Sequence, residues 1–397
     1  MQMNTEQFIK QFASADVHTL ALKAKNYPDV DMPFALNQIS GRQAALKKLP
    51  AWAATEGVIY PPHLSMEQCS SESTAIYKRC ILQRLLGNGY SLTDLTGGFG
   101  VDFMYMSEGC SRAVYVERNP ILCDTLRHNA SVFGRQNVEI INSEAEEYIN
   151  SMTSTDVIYI DPARRDSTGG RTYAISDCTP DVIQLLPQML DNSKYVVIKL
   201  SPMLDHNKTV EDLNKVSRCV SEVHIVSASN ECKELLMVLT KDVAESYKMY
   251  CVNDTHEFSY TVSDERDVLP SSKEETFDDM YLYEPNSSLM KAGCFRQIAD
   301  RYNMPVIACN SNLFVSRGKE QDFPGRSFNI LRTTTMNKKE LSRAMSGIKK
   351  ANITVRNFPM TVAVLRKRLK LADGGDTYIF ATTTSQGTHI LLICEKI

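Results

Sequence analysis

The stretch Leu92-Thr-Asp-Leu-Thr-Gly-Gly-Phe-Gly-Val-Asp102 decides the fold of this 397-residue chain. It begins as a short apolar strand, and Gly97, Gly98 and Gly100 follow at once. Glycine has no Cβ, so such a turn lets the backbone approach a ligand and tolerates positive φ angles. The pattern predicts a strand that turns into a helix at the carboxyl edge of a sheet. Asp94 ends this strand, where its carboxylate is placed to meet a ligand's ammonium group directly or through water.

Short apolar strands alternate with helices from Tyr90 onward, which is typical of a parallel sheet with crossover helices. Only Ser229-Asn-Glu-Cys-Lys233 separates the last two strands, and so short a turn joins antiparallel strands but cannot accommodate a parallel crossover. We therefore predict five parallel strands and a terminal hairpin, which make a Rossmann-like, seven-stranded α/β sheet. The predicted strands are Ser91–Leu95, Ala113–Glu117, Val138–Asn142, Val157–Asp161, Tyr195–Leu200, Val223–Ala228 and Leu235–Thr240.

Smaller domains are predicted on both sides of this sheet. Near the amino end, helices are expected over Asn4–Ala13, with Thr5 as a possible N-cap, and over Pro33–Leu49, with Pro50 as the stop. The carboxyl-terminal part alternates short helices and strands, which predicts small α+β domains, and one helix is expected over residues 288–303. The predicted domains are residues 1–62 (N-terminal helical region), 63–241 (Rossmann-like domain), 242–279 (linker or hairpin), 280–323 (small ferredoxin-like βαβ unit) and 324–397 (C-terminal α+β domain).

Charge and cysteine usage narrow the class of protein. With 44 basic and 47 acidic residues, the net charge is −3, so any affinity for a polyanion must come from local patches. Basic runs occur at Lys338-Lys339, Lys349-Lys350 and Arg366 to Lys370, and each is either a solvated face or a nucleic-acid contact.

Eleven cysteines are scattered singly, which argues against a zinc site and a disulfide framework and suits a reducing compartment. The sequence shows neither the order of a signal peptide nor an apolar run of membrane-spanning length. We therefore expect a cytoplasmic protein with no metal and no membrane association.

Two further acidic residues follow predicted strands. Glu117 ends the second strand about twenty positions after Asp94, the spacing at which a carboxylate recognises ribose hydroxyls. The alternative is that Glu117 merely places a negative charge near the start of the next helix. Glu144 follows the third strand and has two acidic neighbours, so it is either a ligand contact or a solvated side chain.

These residues carry a resemblance to a known family. Asp94, the glycine turn, Glu117, Glu144 and Asp161-Pro162 occur in the order and strand positions of class I S-adenosylmethionine-dependent methyltransferases. The similarity covers roughly residues 65–240 and implies S-adenosyl-L-methionine as the cofactor. Thr96 stands where the family often has a glycine, and it would either hydrogen-bond the cofactor or cap the helix. The implied cofactor-binding residues are Asp94, Thr96, Gly97, Gly98, Gly100, Glu117, Glu144 and Asp161.

A narrower resemblance is carried by Gln68–Thr74, by Asp161-Pro-Ala-Arg164 and by the tail from Asn357-Phe-Pro-Met360 to Gly375. These stretches look similar to bacterial predicted RNA methylases with a THUMP-like C-terminal domain. The resemblance implies that residues 324–397 are THUMP-like and that the partner is RNA, either tRNA or rRNA. Gln68–Thr74 is rich in hydroxyl groups, and it would either fold over the methionine moiety or cap the following helix.

Asp161 is the predicted catalytic residue. A carboxylate at the end of the fourth strand can accept a hydrogen bond from an exocyclic amine and orient its lone pair toward the methyl group, and Pro162 would keep the turn rigid. Nucleic-acid amino-methyltransferases usually have a second proline and an aromatic residue here, whereas this chain has Ala163 and Arg164, so amine methylation is not secured. Lys199-Leu-Ser-Pro-Met203 contains no cysteine, which argues against a covalent uridine C5 mechanism.

Four other residues are candidates for the reaction site. Arg164, which we group with the catalytic residues, and Arg165 could hold a phosphate in bidentate fashion, or they could pair with neighbouring carboxylates. Lys199 and Ser201 lie near the end of the fifth strand, so they are expected to face the same cleft and to contact the substrate. We therefore assign Arg165, Lys199 and Ser201 to substrate binding.

The sequence is consistent with several functions, which differ in how well the residues support them. Base methylation of RNA comes first, because of the resemblance and the basic C-terminal helix. A small-molecule or protein methyltransferase is the alternative, consistent with the acidic net charge and the missing aromatic residue. A catalytically silent RNA-binding protein with this fold is a third possibility. A nicotinamide dehydrogenase fits worst, because the predicted strand order and Thr96 suit it poorly.

Overall fold

The computed structural model describes residues 3–164, 175–242, 245–262 and 269–397. The chain divides into two compact units: an N-terminal unit of Met1–Val223 and Leu235–Tyr247, and a C-terminal unit of His224–Glu234 and Lys248–Ile397. The helices of the N-terminal unit are α1 (Thr5–Gln11), α2 (Val17–Leu22), α3 (Met32–Lys48), α4 (Pro50–Ala54), α5 (His63–Gln68), α6 (Glu72–Leu86), α7 (Val101–Met106), α8 (Pro120–Val132), α9 (Ala145–Tyr148), α10 (Val182–Asn192) and α11 (His206–Val216). Its strands are β1 (Ser91–Asp94), β2 (Arg112–Glu117), β3 (Val138–Asn142), β4 (Thr155–Ile160), β5 (Ala163–Arg164), β6 (Cys178–Thr179) and β7 (Ser193–Leu200), with β8 (Val220–Ala228) and β9 (Glu231–Leu239) running on into the C-terminal unit.

The first helices form as the sequence predicts, apart from one cap. Asn4, not Thr5, is the N-cap of α1: its Oδ1 accepts from the Gln7 amide at 2.9 Å, and Gln7 Oε1 accepts from the Asn4 amide at 3.1 Å. This reciprocal pair satisfies two amides that the helix leaves open, which a threonine one position later cannot do. Thr5 Oγ1 instead accepts from the Asp31 amide. Pro50 follows the end of α3 and starts α4.

The main sheet has the order β8-β9-β7-β4-β1-β2-β3 in this unit. β1 pairs in parallel with β2 on one side and with β4 on the other, whereas β7 pairs antiparallel with β9. This arrangement confirms the predicted parallel strands and terminal hairpin of a class I methyltransferase sheet. Because the chain returns from β3 to the far side of β1, the topological switch lies between β1 and β4, and ligands of open α/β sheets bind outside the carboxyl ends of strands at such a point.

Burial on both faces explains the apolar strands. Residues 113–116 of β2 and 157–160 of β4 are fully buried, at 2% exposure or less. Strands covered by helices on both faces read as continuous apolar runs and not as alternating ones. The polar residues that interrupt these runs therefore stand at strand ends, which is where the candidate site lies.

The C-terminal unit has its own sheet of six strands, of which the last two are parallel, in the order Phe314–Ser316, Tyr281–Pro285, Gly325–Thr335, His389–Lys396, Thr377–Thr383 and Asn352–Val355. Its core contains Phe328, Phe380 and Leu392. Two strands preceding this sheet form an antiparallel hairpin. The elements are β10 (Lys248–Asn253), β11 (His256–Thr261), β12 (Tyr281–Pro285), α12 (Ser287–Ala292), α13 (Phe295–Tyr302), β13 (Phe314–Ser316), β14 (Gly325–Thr335), α14 (Lys338–Ala344), β15 (Asn352–Val355), α15 (Val362–Leu369), β16 (Thr377–Thr383) and β17 (His389–Lys396).

Local structure departs from the predicted pattern in three places within this unit. The helix expected over residues 288–303 is broken into α12 and α13, because Gly293 adopts φ +67° and caps α12. β12 and β13, which the predicted βαβ unit would make parallel, are antiparallel. β14 is an eleven-residue strand that the sequence pattern does not predict. Its pairing with β17 changes register between Ile330 and Arg332, and this irregularity interrupts the alternation of buried and exposed side chains. In the described part of the chain, no helix has the length and apolarity needed to cross a bilayer.

Candidate functional site at the carboxyl edge of the sheet

The glycine turn after β1 is fixed by close packing on β2. A Cβ built on Gly97 would lie 1.9 Å from Tyr115 Cε2, and the Gly97 amide donates to Val116 O at 2.9 Å. Gly97 is therefore required by the protein's own packing. Gly98 has φ +55°, and a Cβ there would meet nothing closer than 3.8 Å. Gly98, in the left-handed conformation that the sequence predicts, leaves room beside its backbone.

Asp94 is almost completely buried at the end of β1, with 1% exposure. One carboxylate oxygen accepts from the Thr96 amide at 2.9 Å. Burial holds the pKa of this carboxyl well above its usual range, and the nearby carboxylates of Asp102, Asp161 and Glu117 raise it further. Asp94 thus stands among other acids, in a position that a bound cation would stabilise.

Glu117 ends β2 and connects three segments. Its Oε2 accepts from the Gly98 amide at 2.9 Å, and its Oε1 accepts from the Asn119 amide at 2.8 Å. Asn119, not Glu117, is the N-cap of α8. Ser143, which precedes Glu144, donates its amide to Glu117 O at 3.2 Å. A carboxylate has about four acceptor positions, so Glu117 can position the glycine turn and still accept from hydroxyl groups of a ligand.

Glu144 is less firmly placed. It occupies the N-cap position of α9 without a side-chain cap, and its half-exposed carboxylate lies 3.9 Å from Arg118 Nη1. The backbone hydrogen bond from the Ser143 amide to Glu117 O brings Glu144 to the same edge of the sheet as the other acids. Its carboxylate is open to solvent, so both interpretations of Glu144 stand.

Asp161 follows β4 directly and is held by two neighbours. Its amide donates to Thr96 Oγ1 at 2.6 Å, and its Oδ2 accepts from Lys199 Nζ at 2.5 Å. The Thr96 hydroxyl therefore connects the turn after β1 to the turn after β4 by a hydrogen bond. Neither predicted role of Thr96 includes this contact. The N-cap of α7 is Gly100, not Thr96.

The residues after Asp161 are placed in part. Pro162 is buried, and Arg164 pairs through its backbone with Cys178 in the short β5–β6 ladder. Arg165 lies outside the described residues. Ser201 accepts from the Met203 amide at 3.3 Å, in the turn that follows β7. Lys199 thus contacts Asp161, and Ser201 lies two residues farther along.

A buried charged cluster around Asp102 was not predicted. Asp102, in the first turn of α7, accepts from Lys78 Nζ at 3.0 Å, from Ser70 Oγ at 2.7 Å and from the Tyr159 hydroxyl at 2.8 Å. Lys199 Nζ lies 3.7 Å from its Oδ2. Burial alone would raise the pKa of Asp102, but the Lys78 and Lys199 ammonium groups outweigh it and lower that pKa to about 2.

One sequence signal could have revealed this cluster. Lys78 stands on the buried face of α6, in line with Ala75 and Leu82, and is 1% exposed. A lysine in an apolar helical stripe needs a buried anionic partner. In the segment before α6, Ser71 is the N-cap, so the capping interpretation of Gln68–Thr74 holds for Ser71, while Ser70 joins the Asp102 cluster.

Aromatic packing connects the helical region to the glycine turn. Trp52, the single tryptophan of the chain, is 2% exposed, and its ring lies 5.0 Å from that of Phe99, between Gly98 and Gly100. It also packs on Phe133 after α8 at 5.0 Å. A shift of the glycine turn would therefore change the surroundings of the Trp52 indole.

The donor set fits S-adenosylmethionine chemically. Asp94, Glu117 and Asp161 end adjacent strands, and the charges of Glu117 and Asp161 raise the pKa of Asp94. A ligand that carries a sulfonium and an ammonium charge would relieve that repulsion, and ribose hydroxyls are donors that a carboxylate accepts. The turn itself does not crowd Gly98, since a Cβ there would meet no atom closer than 3.8 Å. Over the described ranges, no group of three or more His, Cys, Asp or Glu side chains is arranged to hold a metal ion.

Known proteins match this chain over parts of its length. Residues 325–396 match a family model described as THUMP domain-like, and residues 281–324 match a ferredoxin-like domain model. No curated protein matches the chain. An rRNA methylase from Streptococcus thermophilus is 14% identical over 42% of this chain and 94% of its own, with a TM-score of 0.33. A precorrin-6y C5,15-methyltransferase from Geobacter metallireducens is 17% identical over 43% of this chain and 87% of its own, with a TM-score of 0.29.

A further solved structure matches end to end. A protein from Porphyromonas gingivalis, assigned as a methyltransferase, is 30% identical to this chain, with 100% of both chains covered and a TM-score of 0.84. The agreement includes both the main sheet and the C-terminal part of the chain. The chain therefore belongs to the class I methyltransferase family of that protein, with a THUMP-like domain at its carboxyl end.

Proposed function

We propose that this protein is an S-adenosylmethionine-dependent methyltransferase that methylates a base in RNA, and that it acts in the cytoplasm. The observation that carries the proposal is the set of acids at one edge of the sheet: Asp94 and Glu117 end β1 and β2, and Asp161 directly follows β4. All eleven cysteines carry free thiols, which suits a reducing compartment.

S-adenosylmethionine, when bound, supplies an electrophilic methyl group. The buried Asp94 carboxylate would lie toward its ammonium group, and Glu117 would accept from its ribose hydroxyls. Glu144 would accept from the adenine amine. Thr96 and the glycine turn would position these groups, through the bonds that Thr96 and Glu117 already make. The proposed cofactor-binding residues are Asp94, Thr96, Gly97, Gly98, Gly100, Glu117, Glu144 and Asp161.

Asp161 is the proposed catalytic residue. Its side chain is 36% exposed, so it is open to an acceptor while Lys199 holds one of its oxygens. A hydrogen bond from the acceptor's N–H to the other oxygen would orient the nitrogen lone pair toward the methyl group. Pro162 would restrict the turn, and Arg164 and Arg165 would hold a substrate phosphate. Ser201 would contribute a hydroxyl contact.

RNA is the proposed partner because of the basic surface of the THUMP-like domain. In α15 and just after it, Lys367, Arg368 and Lys370 are exposed. Arg366 is different, because it already donates to Ala351 O and Ala372 O and pairs with Asp373. Exposed cations contribute phosphate contacts of the kind that hold either tRNA or rRNA, and such binding weakens with salt.

The test uses total RNA from cells that lack this protein, purified protein, and S-adenosylmethionine labelled in its methyl group. We expect label in RNA, and mass spectrometry of the nucleosides would identify the base. Asp161→Ala is expected to abolish transfer while it leaves cofactor affinity within about threefold. Substituting Asp156, a paired carboxylate at the other end of β4, by Asn is the matched control and should retain transfer.

The second candidate is a small-molecule or protein acceptor. It is favoured by Arg164, which stands where nucleic-acid amino-methyltransferases usually have an aromatic residue, and by the net charge of −3. Label in a metabolite or protein fraction and none in RNA would establish this alternative. RNA binding without transfer to any fraction would instead indicate a catalytically silent RNA-binding protein.

A further inference from the structure

The Asp102 cluster extends from the interior to the reaction site as alternating charges. Lys78 Nζ lies 3.0 Å from Asp102 Oδ1, Lys199 Nζ lies 3.7 Å from Asp102 Oδ2, and Lys199 Nζ lies 2.5 Å from Asp161 Oδ2. Side-chain exposure rises along this series, from 0% at Lys78 through 11% and 13% to 36% at Asp161. Only the last group of the series is well open to a substrate.

Stability alone does not explain such a cluster. Buried ion pairs are commonly no better than apolar residues of similar volume, because both charges lose their hydration. Asp102 nevertheless has three donors besides Lys199, and they come from different elements: Ser70 precedes α6, Lys78 lies in α6 and Tyr159 lies in β4. The carboxylate is therefore fixed in position from several sides, as a group that must orient a neighbour would be.

Asp102 is connected to the catalytic turn in two ways. Tyr159, whose hydroxyl donates to Asp102, is two residues before Asp161 on the same strand. Lys199, which Asp102 attracts across the sheet edge, donates directly to Asp161. A change at Asp102 would therefore reach Asp161 through both connections.

Resting on the function proposed above, we infer that Asp102 is a positioning residue, which holds the Lys199 ammonium so that Lys199 fixes the Asp161 carboxylate toward the acceptor. Lys199 then acts mainly on Asp161 and not as a substrate contact. In the transfer, a carbon–nitrogen bond forms at the acceptor as the carbon–sulfur bond breaks. The proton of that nitrogen passes to Asp161 and on to water, so neither Asp102 nor Lys199 gains or loses a proton.

Asp102→Asn tests this inference, since it removes the charge and keeps the shape. We expect kcat on RNA from cells lacking the protein to fall about 100-fold, as misplacement of a reacting group by about 1 Å can do. KM for RNA and the affinity for S-adenosylmethionine, followed by Trp52 fluorescence, should stay within about threefold. Asp156→Asn removes a paired carboxylate at the far end of β4 from Asp161; this control should lower stability without this fall in kcat.

NMR gives a readout that does not depend on turnover: the signal of the Lys199 side-chain ammonium. This signal is assigned by its disappearance in Lys199→Arg. We expect this signal in the wild-type protein and in Asp156→Asn. We expect its loss in Asp102→Asn, because without the Asp102 charge only Asp161 of these two carboxylates holds the ammonium, whose protons then exchange faster with water. If Asp102→Asn fails to fold, Tyr159→Phe removes one donor only and should lower kcat by a smaller factor.

An unchanged kcat together with a persistent Lys199 signal in the folded variants would overturn the inference. If wild-type protein labels no RNA, the proposed substrate is wrong, but the Lys199 signal still decides whether Asp102 positions it.

Discussion

Replacing Gly97 by alanine places a methyl group where the ring of Tyr115 lies. The new Cβ would be 1.9 Å from Cε2 and 2.2 Å from Cδ2 of that ring. Tyr115 cannot withdraw easily, because it is fully buried, its hydroxyl donates to Gly98 O at 2.5 Å, and its ring packs 5.4 Å from that of Phe103. Either the ring or the glycine turn must therefore move by more than 1 Å.

Overpacking of this kind lowers the free energy of unfolding by about 1–3 kcal/mol. For a unit of this size each kcal/mol lowers Tm by about 2–4 °C, so we expect a decrease of about 2–12 °C in a calorimetric melt. Because the turn carries Gly98, the affinity for S-adenosylmethionine should fall in the same variant. Gly318→Ala is the control: nothing lies within 4 Å of its added Cβ, and its stability should change by less than about 0.5 kcal/mol.

A double-mutant cycle isolates the cause. Tyr115→Leu removes most of the ring, so in that background Gly97→Ala should cost at least about 1 kcal/mol less than in the wild-type protein. A cost of Gly97→Ala under about 0.5 kcal/mol, or an equal cost in both backgrounds, would refute a clash with the Tyr115 ring.

Three further predictions concern the acids. Asp94→Asn should weaken S-adenosylmethionine binding, but at pH 8 its stability should equal or exceed that of the wild type. Burial raises the pKa of Asp94, so ionisation of this carboxyl as pH rises opposes folding in the wild type, whereas Asn cannot ionise. Comparing both proteins by urea unfolding at pH 5 and pH 8 checks the sign. Glu117→Gln should lower the affinity about 10- to 100-fold, the 1.5–3 kcal/mol of a charged hydrogen bond, as measured by titration calorimetry. Since the pKa of Asp102 is lowered to about 2, its contribution is present above about pH 4 and lost as pH falls toward 2, so the melts of wild type and Asp102→Asn should converge in acid.

The sequence predicts the sheet well because local patterns determine it. Buried strands appear in the sequence as apolar runs. The Ser229–Lys233 connection is too short for a parallel crossover, so the length of this connection alone predicts that the last strand is antiparallel. The acids of the site are predictable for the same reason, as each one follows a strand. Chain order then places Asp94, Glu117 and Asp161 at one edge.

What the sequence does not predict depends on contacts between distant segments. Asp102 meets Lys78 and Ser70 through tertiary packing of α6 on α7, which no spacing rule indicates. The hydroxyl of Thr96 accepts from the Asp161 amide across two strand ends, a contact that neither of its predicted roles includes. The N-cap of α1 was misplaced by one residue because Asn4 and Thr5 are both good caps, and only the backbone geometry selects Asn4.

The same tertiary packing supplies a reporter for binding. Trp52 is the single tryptophan, and it packs on Phe99 inside the glycine turn. A ligand that orders or shifts this turn changes the surroundings of the indole, so intrinsic fluorescence follows binding without a label.

The most direct test of the account is a fluorescence titration of Trp52 with S-adenosylmethionine, repeated with NAD and with the Glu117→Gln variant. We predict a saturable change at one site for S-adenosylmethionine, none for NAD, and an affinity at least tenfold lower for Glu117→Gln. No binding of S-adenosylmethionine by the wild-type protein, confirmed by calorimetry, or equal affinity in Glu117→Gln, would contradict the claim that the acids at the carboxyl edge hold this cofactor.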